Sequence, residues 1–411
     1  MSAVLNTDFN FSSDRIQELE AFYSRALLED VVPFWLHYSL DRKCGGYHTY
    51  LDREGNTYGT DKAMWLQCRE VWMFSRLYNA LEKQPKWLEA ARLGVEFISR
   101  HGFDTDGRMF FLVTREGKPL RKRRYLFTEC FGIIALAEFA RASGKENYLH
   151  RAKDLYRLVI DLYREPAALE PKVFPETRPM KSLAMPMILL ATTQELRKFD
   201  TDPLYDEIAE ETSREIVRDF LKPDERALLE TVGPNGERLD LPAGRCVNPG
   251  HAVEAAWFLM REGILQRNDT LVETACRALS WSLELGWDSR HGGLFAFVDV
   301  DGRPLEQLEW DMKLWWPHTE ALYASLLAHH LTHDRQYFSW FEKLHSYSFA
   351  RFPDKDHGEW FGYLHRDGTI ASSLKGSTWK GMFHVPRALL SVLLLLREMI
   401  AADSVGGKKA L

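Results

Sequence analysis

Two histidines, an arginine and two glutamates stand near the starts of segments that read as helices. They are His251 and Glu254 in NPGHAVEAAWFLM, His384 in GMFHVPRALL, Arg69 in MWLQCREVWMFSRLYN and Glu320 in KLWWPHTEAL. An imidazole titrates near pH 6.5, so two of them reaching one carbon from opposite walls can serve as base and acid near neutrality. Removing a proton beside a carbonyl builds negative charge on oxygen. A fixed guanidinium holds such charge, and one such donor contributes about 3 kcal/mol; Arg69 is the candidate. At a helix N-terminus the macrodipole disfavours imidazolium, so each histidine needs a carboxylate neighbour. Glu254, three residues from His251 and on the same helix face, and Glu320 are the candidates. Together these residues point to proton transfer next to the carbonyl of a ring-opened sugar, with no metal or redox cofactor required for the chemistry.

Each residue also has a structural reading. Arg69 could pair with Glu70 or Glu129. His251 and Glu254 could be an incidental polar pair on a capped helix. His384, alone among apolar neighbours, reads by itself as a satisfied core histidine, and His318 reads as structural. What raises the functional reading is the recurrence of aromatic and polar residues at equivalent helix starts. Trp65, Phe127, Glu129, Met185 and Trp316 stand at the same places, and aromatic faces with a few directed polar groups suit a sugar-sized pocket.

Other site classes lack their patterns. There is no HExxH, no paired ExxH, no GxGxxG, no phosphate loop and no GxSxG. No metal ligand set is expected. The net charge is −6, which gives nucleic acid no basic surface to bind. The run Arg121–Arg124 reads as a solvated loop, with a phosphate contact or ligand gate as the alternative. The five cysteines are widely spaced with no CxxC, as expected of reduced thiols in a cytoplasmic protein. No basic-then-apolar leader opens the chain, and no apolar run reaches the roughly 18 residues that span a bilayer, so no membrane association is expected.

The elements that must position these residues follow from periodicity. Twelve helices read at a spacing of 3.6, near 14–39, 63–80, 85–100, 128–142, 146–163, 182–198, 204–221, 250–262, 269–285, 312–332, 335–350 and 381–402. Before alternate helices the texture changes to short β-prone runs with D-G or E-G turns: CGGYHTYLDREGNTYG, DTDGRMFFLVTREGKPL, HGGLFAFVDVDGRPL and HGEWFGYLHRDGTI, with weaker forms at PKVFPETR and VGPNGERLDLP. Six helix pairs and six hairpins predict an all-α (α/α)6 barrel with the hairpins at one mouth, beside the inner-helix starts. With no mid-chain linker, residues 1–402 read as one domain and 403–411 as a flexible tail.

At these residues the chain resembles the N-acylglucosamine 2-epimerase family. The stretches that carry the likeness are WLQCREVWMFSRLYN, NPGHAVEAAWFL, LEWDMKLWWPHTEAL, GEWFGYLHRDG and KGMFHVPRALL, with SLAMPMILL as weaker support. The resemblance implies an (α/α)6 barrel, often a homodimer, that interconverts N-acetylglucosamine and N-acetylmannosamine. It implies His251 and His384 as the proton-transfer pair, Arg69, Glu254 and Glu320 as essential pocket residues, and Trp65 as a sugar-contacting aromatic. Isomerase-like and cellobiose-epimerase-like members carry a further histidine at the third inner helix, where this chain has Met185, which favours the N-acyl branch. Animal-type members respond to ATP as an activator; no phosphate-cradling loop here supports that by motif. An aldose–ketose isomerase of mannose-type sugars and a non-catalytic sugar-binding barrel are the alternatives, and a glycoside hydrolase on the same barrel would need two free carboxylates flanking a bond.

Overall fold

The computed structural model describes residues 12–406 apart from 166–167, 170–173 and 175. The chain begins with α1 (Ser13–Arg25), which passes through a π-helical stretch, Ala26–Val31, into α2 (Val32–Tyr38). There follow α3 (Met64–Ala80), α4 (Pro85–His101), α5 (Phe127–Ser143), α6 (Glu146–Arg164), α7 (Ala184–Leu196) and α8 (Pro203–Glu215). A single turn, α9 (Pro242–Arg245), precedes α10 (Pro249–Gln266), α11 (Asp269–Gly286), α12 (Trp315–Thr332), α13 (Arg335–Arg351) and α14 (His384–Gly406).

Helices α3, α5, α7, α10, α12 and α14 pack side by side in a closed ring, and each is backed by an outer helix, α4, α6, α8, α11, α13 or α1. Residue pattern decides the layer. In α12 every residue from Trp315 to His329 except Trp316 is buried, as a helix covered on all sides requires. In α6 the buried set is Ala152, Leu155, Tyr156, Val159 and Ile160, one stripe against the ring with charge on the other face. Prolines at the first helical position open α4, α8 and α10, where their fixed φ suits the helix and the missing N–H is not needed. This is the expected (α/α)6 barrel. Among the described residues no helix is long and apolar enough to cross a membrane. The last helix runs to Gly406, four residues beyond its expected end at 402.

The hairpins do more than close on themselves. Runs 50–59, 112–121 and 363–372 form the expected antiparallel pairs. Two others differ from expectation. Val298–Asp299 pairs with Cys246–Val247, and Thr231–Val232 pairs with Lys181–Ser182, rather than within their own segments. Half of PKVFPETR lies outside the described residues, and a hairpin of Leu221–Lys222 with Ala227–Leu228 was not foreseen. The common rule is that the two residues leading into an inner helix pair with the hairpin of the next repeat: Lys62–Ala63 with Leu112–Val113, and Lys313–Leu314 with Tyr363–Leu364. At the sixth repeat the rule wraps round, and the Lys375 and Gly376 N–H groups donate to Leu51 O in the first.

Ion triads repeat the same logic. Asp41, Asp288 and Asp354 each follow an outer helix and each accepts from a buried lysine, Lys62 at 3.0 Å, Lys313 at 3.2 Å and Lys375 at 3.0 Å. Each also accepts from an arginine of the next hairpin turn, Arg115 at 2.8 Å, Arg366 at 2.9 Å and Arg53 at 2.7 Å. Burial alone would raise these carboxyls, but the donors outweigh it and hold all three well below the usual carboxylate range.

Candidate active site

The first turns of the six inner helices converge on a cavity of about 590 Å³ that runs down the barrel axis. Trp65, Arg69, Phe127, His251, Trp316 and His384 all line it. The two imidazoles lean on one indole: the Trp316 ring centre is 5.1 Å from that of His251 and 5.7 Å from that of His384. Both histidines therefore flank a space the size of one small ligand.

Each histidine is oriented through Nδ1. His384 Nδ1 lies 2.8 Å from Glu320 Oε1. His251 Nδ1 lies 2.9 Å from Glu230 Oε2, and the His251 backbone N–H is capped by Asn248 Oδ1 at 3.2 Å. A carboxylate can only accept, so the proton sits on Nδ1 and each Nε2 is left for the cavity. Their environments pull in opposite directions. Burial, then the charges of Arg387 and Arg69, push His384 well below its ordinary value. Burial also acts to lower His251, but the Glu230 carboxylate more than offsets it and the net shift is upward. Relative to an ordinary histidine, the site thus favours the neutral imidazole at His384 and the imidazolium at His251.

Arg69 has neither of the glutamate partners its structural reading requires. Glu70 accepts from the Ser39 hydroxyl, and Glu129 pairs with Arg108 at 2.9 Å. The Arg69 guanidinium instead lies 4.5, 4.0 and 4.9 Å from the ring centres of Trp65, Phe131 and Phe383, with Nε buried and without a hydrogen-bond partner. Burial, with the like charge of Arg387, pushes it down to about 9, so it remains a cation at neutral pH.

Three expected site residues take other places. Glu129 does not line the cavity: it accepts from Arg108 Nε at 2.9 Å and from the Met109 N–H at 3.1 Å. Phe127 and Phe131 share the cavity face of α5, and a residue midway between them points about 200° away. Met185 likewise is absent from the cavity wall and packs, partly buried, against the outside of the core, while Ala184, Met187 and Ile188 present the cavity face of α7. Glu254 lines the cavity but is not the carboxylate of His251; it accepts from Arg387 Nη2 at 2.6 Å. Glu320 stands behind His384 and also accepts from Trp257 Nε1 at 3.0 Å. His318 is structural: its Nε2 accepts from the Leu294 N–H at 2.9 Å, and burial pushes it down to about 3.

Two residues were missed. Arg387 bridges Glu254 and Glu320, each at 2.6 Å, one turn below His384. The same three-residue spacing that joined His251 to Glu254 would have found it. Glu230 lies on no inner helix; its backbone is clamped between Cys246 O and the Leu183 N–H. Nothing in local sequence marks it. Among the described residues Glu254, Glu320 and His384 could in geometry hold a metal ion, their ligand atoms lying within 4.8 Å of one another. The Arg387 guanidinium already supplies the positive charge between those carboxylates. In the basic run, Lys122 is held by Asp104 at 2.8 Å and Asp106 at 2.6 Å, while Arg123 lies 4.1 Å over Phe111 and lines the cavity.

Comparison with known proteins places this geometry. The N-acylglucosamine 2-epimerase (GlcNAc 2-epimerase) family model matches residues 45–388. The chain is 39% identical over 383 residues to N-acylglucosamine 2-epimerase of Bos taurus, covering 91% of this chain and 90% of that one. It is 38% identical to that of Homo sapiens, covering 91% and 88%. Among solved structures, cellobiose 2-epimerase from Bacillus thermoamylovorans superposes with a TM-score of 0.82 at 20% identity, over 92% of this chain and 99% of that one, a likeness of fold. By the extent of these matches, the chain belongs to the N-acylglucosamine 2-epimerase family.

Proposed function

We propose that the protein is a 2-epimerase that interconverts N-acetylglucosamine and N-acetylmannosamine. The observation that carries the reading is the pair of imidazoles on one indole, each tied through Nδ1 to a carboxylate and each with Nε2 free, beside a buried guanidinium without a carboxylate partner. The sugar binds in its open form with the C1 carbonyl oxygen toward Arg69. One Nε2 takes the proton from C2, and the electron pair moves into the C1–C2 bond as charge develops on O1. Arg69 stabilises that charge. The other histidine returns a proton to C2 from the opposite face. With nitrogen at C2 the anion has no C2 hydroxyl to become a ketone, so the proton returns to C2 and not to C1. Glu254 and Glu320 are both engaged by Arg387, which leaves neither free as the general acid of a hydrolase.

The test is turnover of N-acetylmannosamine in D2O. N-acetylglucosamine carrying one deuterium at C2 is the expected product. Absence of exchange with this sugar, together with conversion of mannose to fructose, would move the assignment to an isomerase. From the family resemblance the proposal also takes a cytoplasmic homodimer and activation by ATP; sedimentation and assays with and without ATP test these.

The opposed histidine environments set a pH dependence. Turnover needs one proton shared by the pair. Activity therefore rises as His384 loses its proton, below pH 6.5, and falls as His251 loses its own, above pH 6.5. Glu230→Gln keeps an acceptor for Nδ1–H but removes the charge that raises His251. The alkaline limb of the kcat/KM profile should move to lower pH while the acid limb stays. An unchanged alkaline limb would remove Glu230 from the scheme.

A further inference from the structure

The cavity does not end at the catalytic level. It continues past Trp257 and Arg387 to a lower chamber lined by Arg76 of α3, Lys198 just after α7, Arg261 of α10 and Ser391 of α14, with Glu195 as the one carboxylate among the lining side chains there. Arg76 is seven residues beyond Arg69 and Arg261 ten beyond His251, so at 1.5 Å per residue the chamber lies about 10–15 Å deeper along the axis. That is too far for any substituent of a hexosamine whose C2 sits between the histidines. The proposed epimerisation gives these side chains no task.

Their pairing is incomplete. Arg261 donates from Nε at 2.9 Å, and from Nη2, to the Tyr323 hydroxyl, a neutral phenol, and has no carboxylate within ion-pair distance among the described residues. The nearest carboxylate to Arg76 is Glu138, at 3.8 Å, whose Oε1 already accepts from Asn79 at 2.8 Å. Lys198 is bound by Glu195, whose other oxygen is buried without a partner. The groups share one field. Burial first, and then the like charges of Arg261 and Arg76, push the Lys198 ammonium down against the pull of Glu195. Cationic excess inside a chain of net charge −6 runs against the overall balance. Two guanidinium forks without a carboxylate in hydrogen-bond reach, joined by an ammonium and a hydroxyl, match a tetrahedral oxyanion.

We infer that Arg76, Arg261, Lys198 and Ser391 form a binding site for an inorganic oxyanion of phosphate size, separate from the sugar site. Titration calorimetry of the full chain with inorganic phosphate tests it. One phosphate per chain is expected at millimolar concentration or below. Arg76→Gln and Arg261→Gln should each weaken it about tenfold or more, the scale of a charge-assisted hydrogen bond. Among the described residues Arg76 makes no hydrogen bond, so its variant should keep the native near-UV circular dichroism, and Lys198→Gln is a second check with the same expected direction. Arg69→Met, at the catalytic level, should leave phosphate affinity unchanged. No binding to the unaltered protein, equal affinity in the Arg76 and Lys198 variants, or loss of binding in Arg69→Met instead would each overturn the assignment.

Discussion

Replacing His384 by glutamine is expected to lower kcat by roughly 10³–10⁴-fold, toward the upper end of what a positioned acid–base group contributes. The folded state should survive, because Glu320 keeps Arg387 and Trp257 as partners. The more telling measurement is solvent exchange. The remaining imidazole, His251, can still remove and return a proton on its own face. The variant should therefore exchange the C2 hydrogen of one epimer with D2O without producing the other. His251→Gln should show the mirror result, exchanging only the opposite epimer. The two variants together assign each histidine to a face of C2. If either variant retained full turnover, or if both exchanged the same epimer, the two-base scheme would fail.

Arg69→Met should separate activity from stability. The developing oxyanion loses its cation, so kcat should fall by about 10²–10³-fold. Stability should not fall with it. A buried guanidinium without a carboxylate partner is costly, and burial already shifts it down to about 9. A thioether of similar length fits among Trp65, Phe131 and Phe383 and makes favourable sulfur–aromatic contacts of its own. The melting temperature is expected to hold or rise. A drop of several degrees with kcat retained would instead make Arg69 a structural cation.

Much of the barrel was legible because helices announce themselves locally. The 3.6 period and the turn-rich texture before alternate helices place all twelve long helices within a few residues. Errors in the site came from what those few residues mean. Each residue rotates a helix face by about 100°. The third inner helix was expected from 182 and begins at Ala184, and Met185 was assigned to the wrong face. Glu129 fell on the far side of α5 because it stands two residues, about 200°, from Phe127, so the two could not share one face. Glu230 was not legible at all, because its value lies in a strand contact with Cys246 and Leu183, some 16 and 47 positions away in the chain. The strand partners share this difficulty: segments of two residues carry too little pattern to name a partner in the next repeat. Arg387 was within reach, since its spacing from His384 is local, but its two carboxylates come from other helices.

The ion triads have a topological consequence. Arg53 in the first hairpin grips Asp354 near the end of the chain just as Arg115 grips Asp41 near its start. Arg397 on the last helix meets Glu20 on the first at 2.8 Å. The first and last described helices, α1 and α14, are therefore neighbours, and ion pairs fasten the junction where the ring closes as they do the junctions between repeats. A circularly permuted chain, with α14 joined to α1 by a linker and new termini opened at an exposed turn between an outer and an inner helix, should assemble the same barrel.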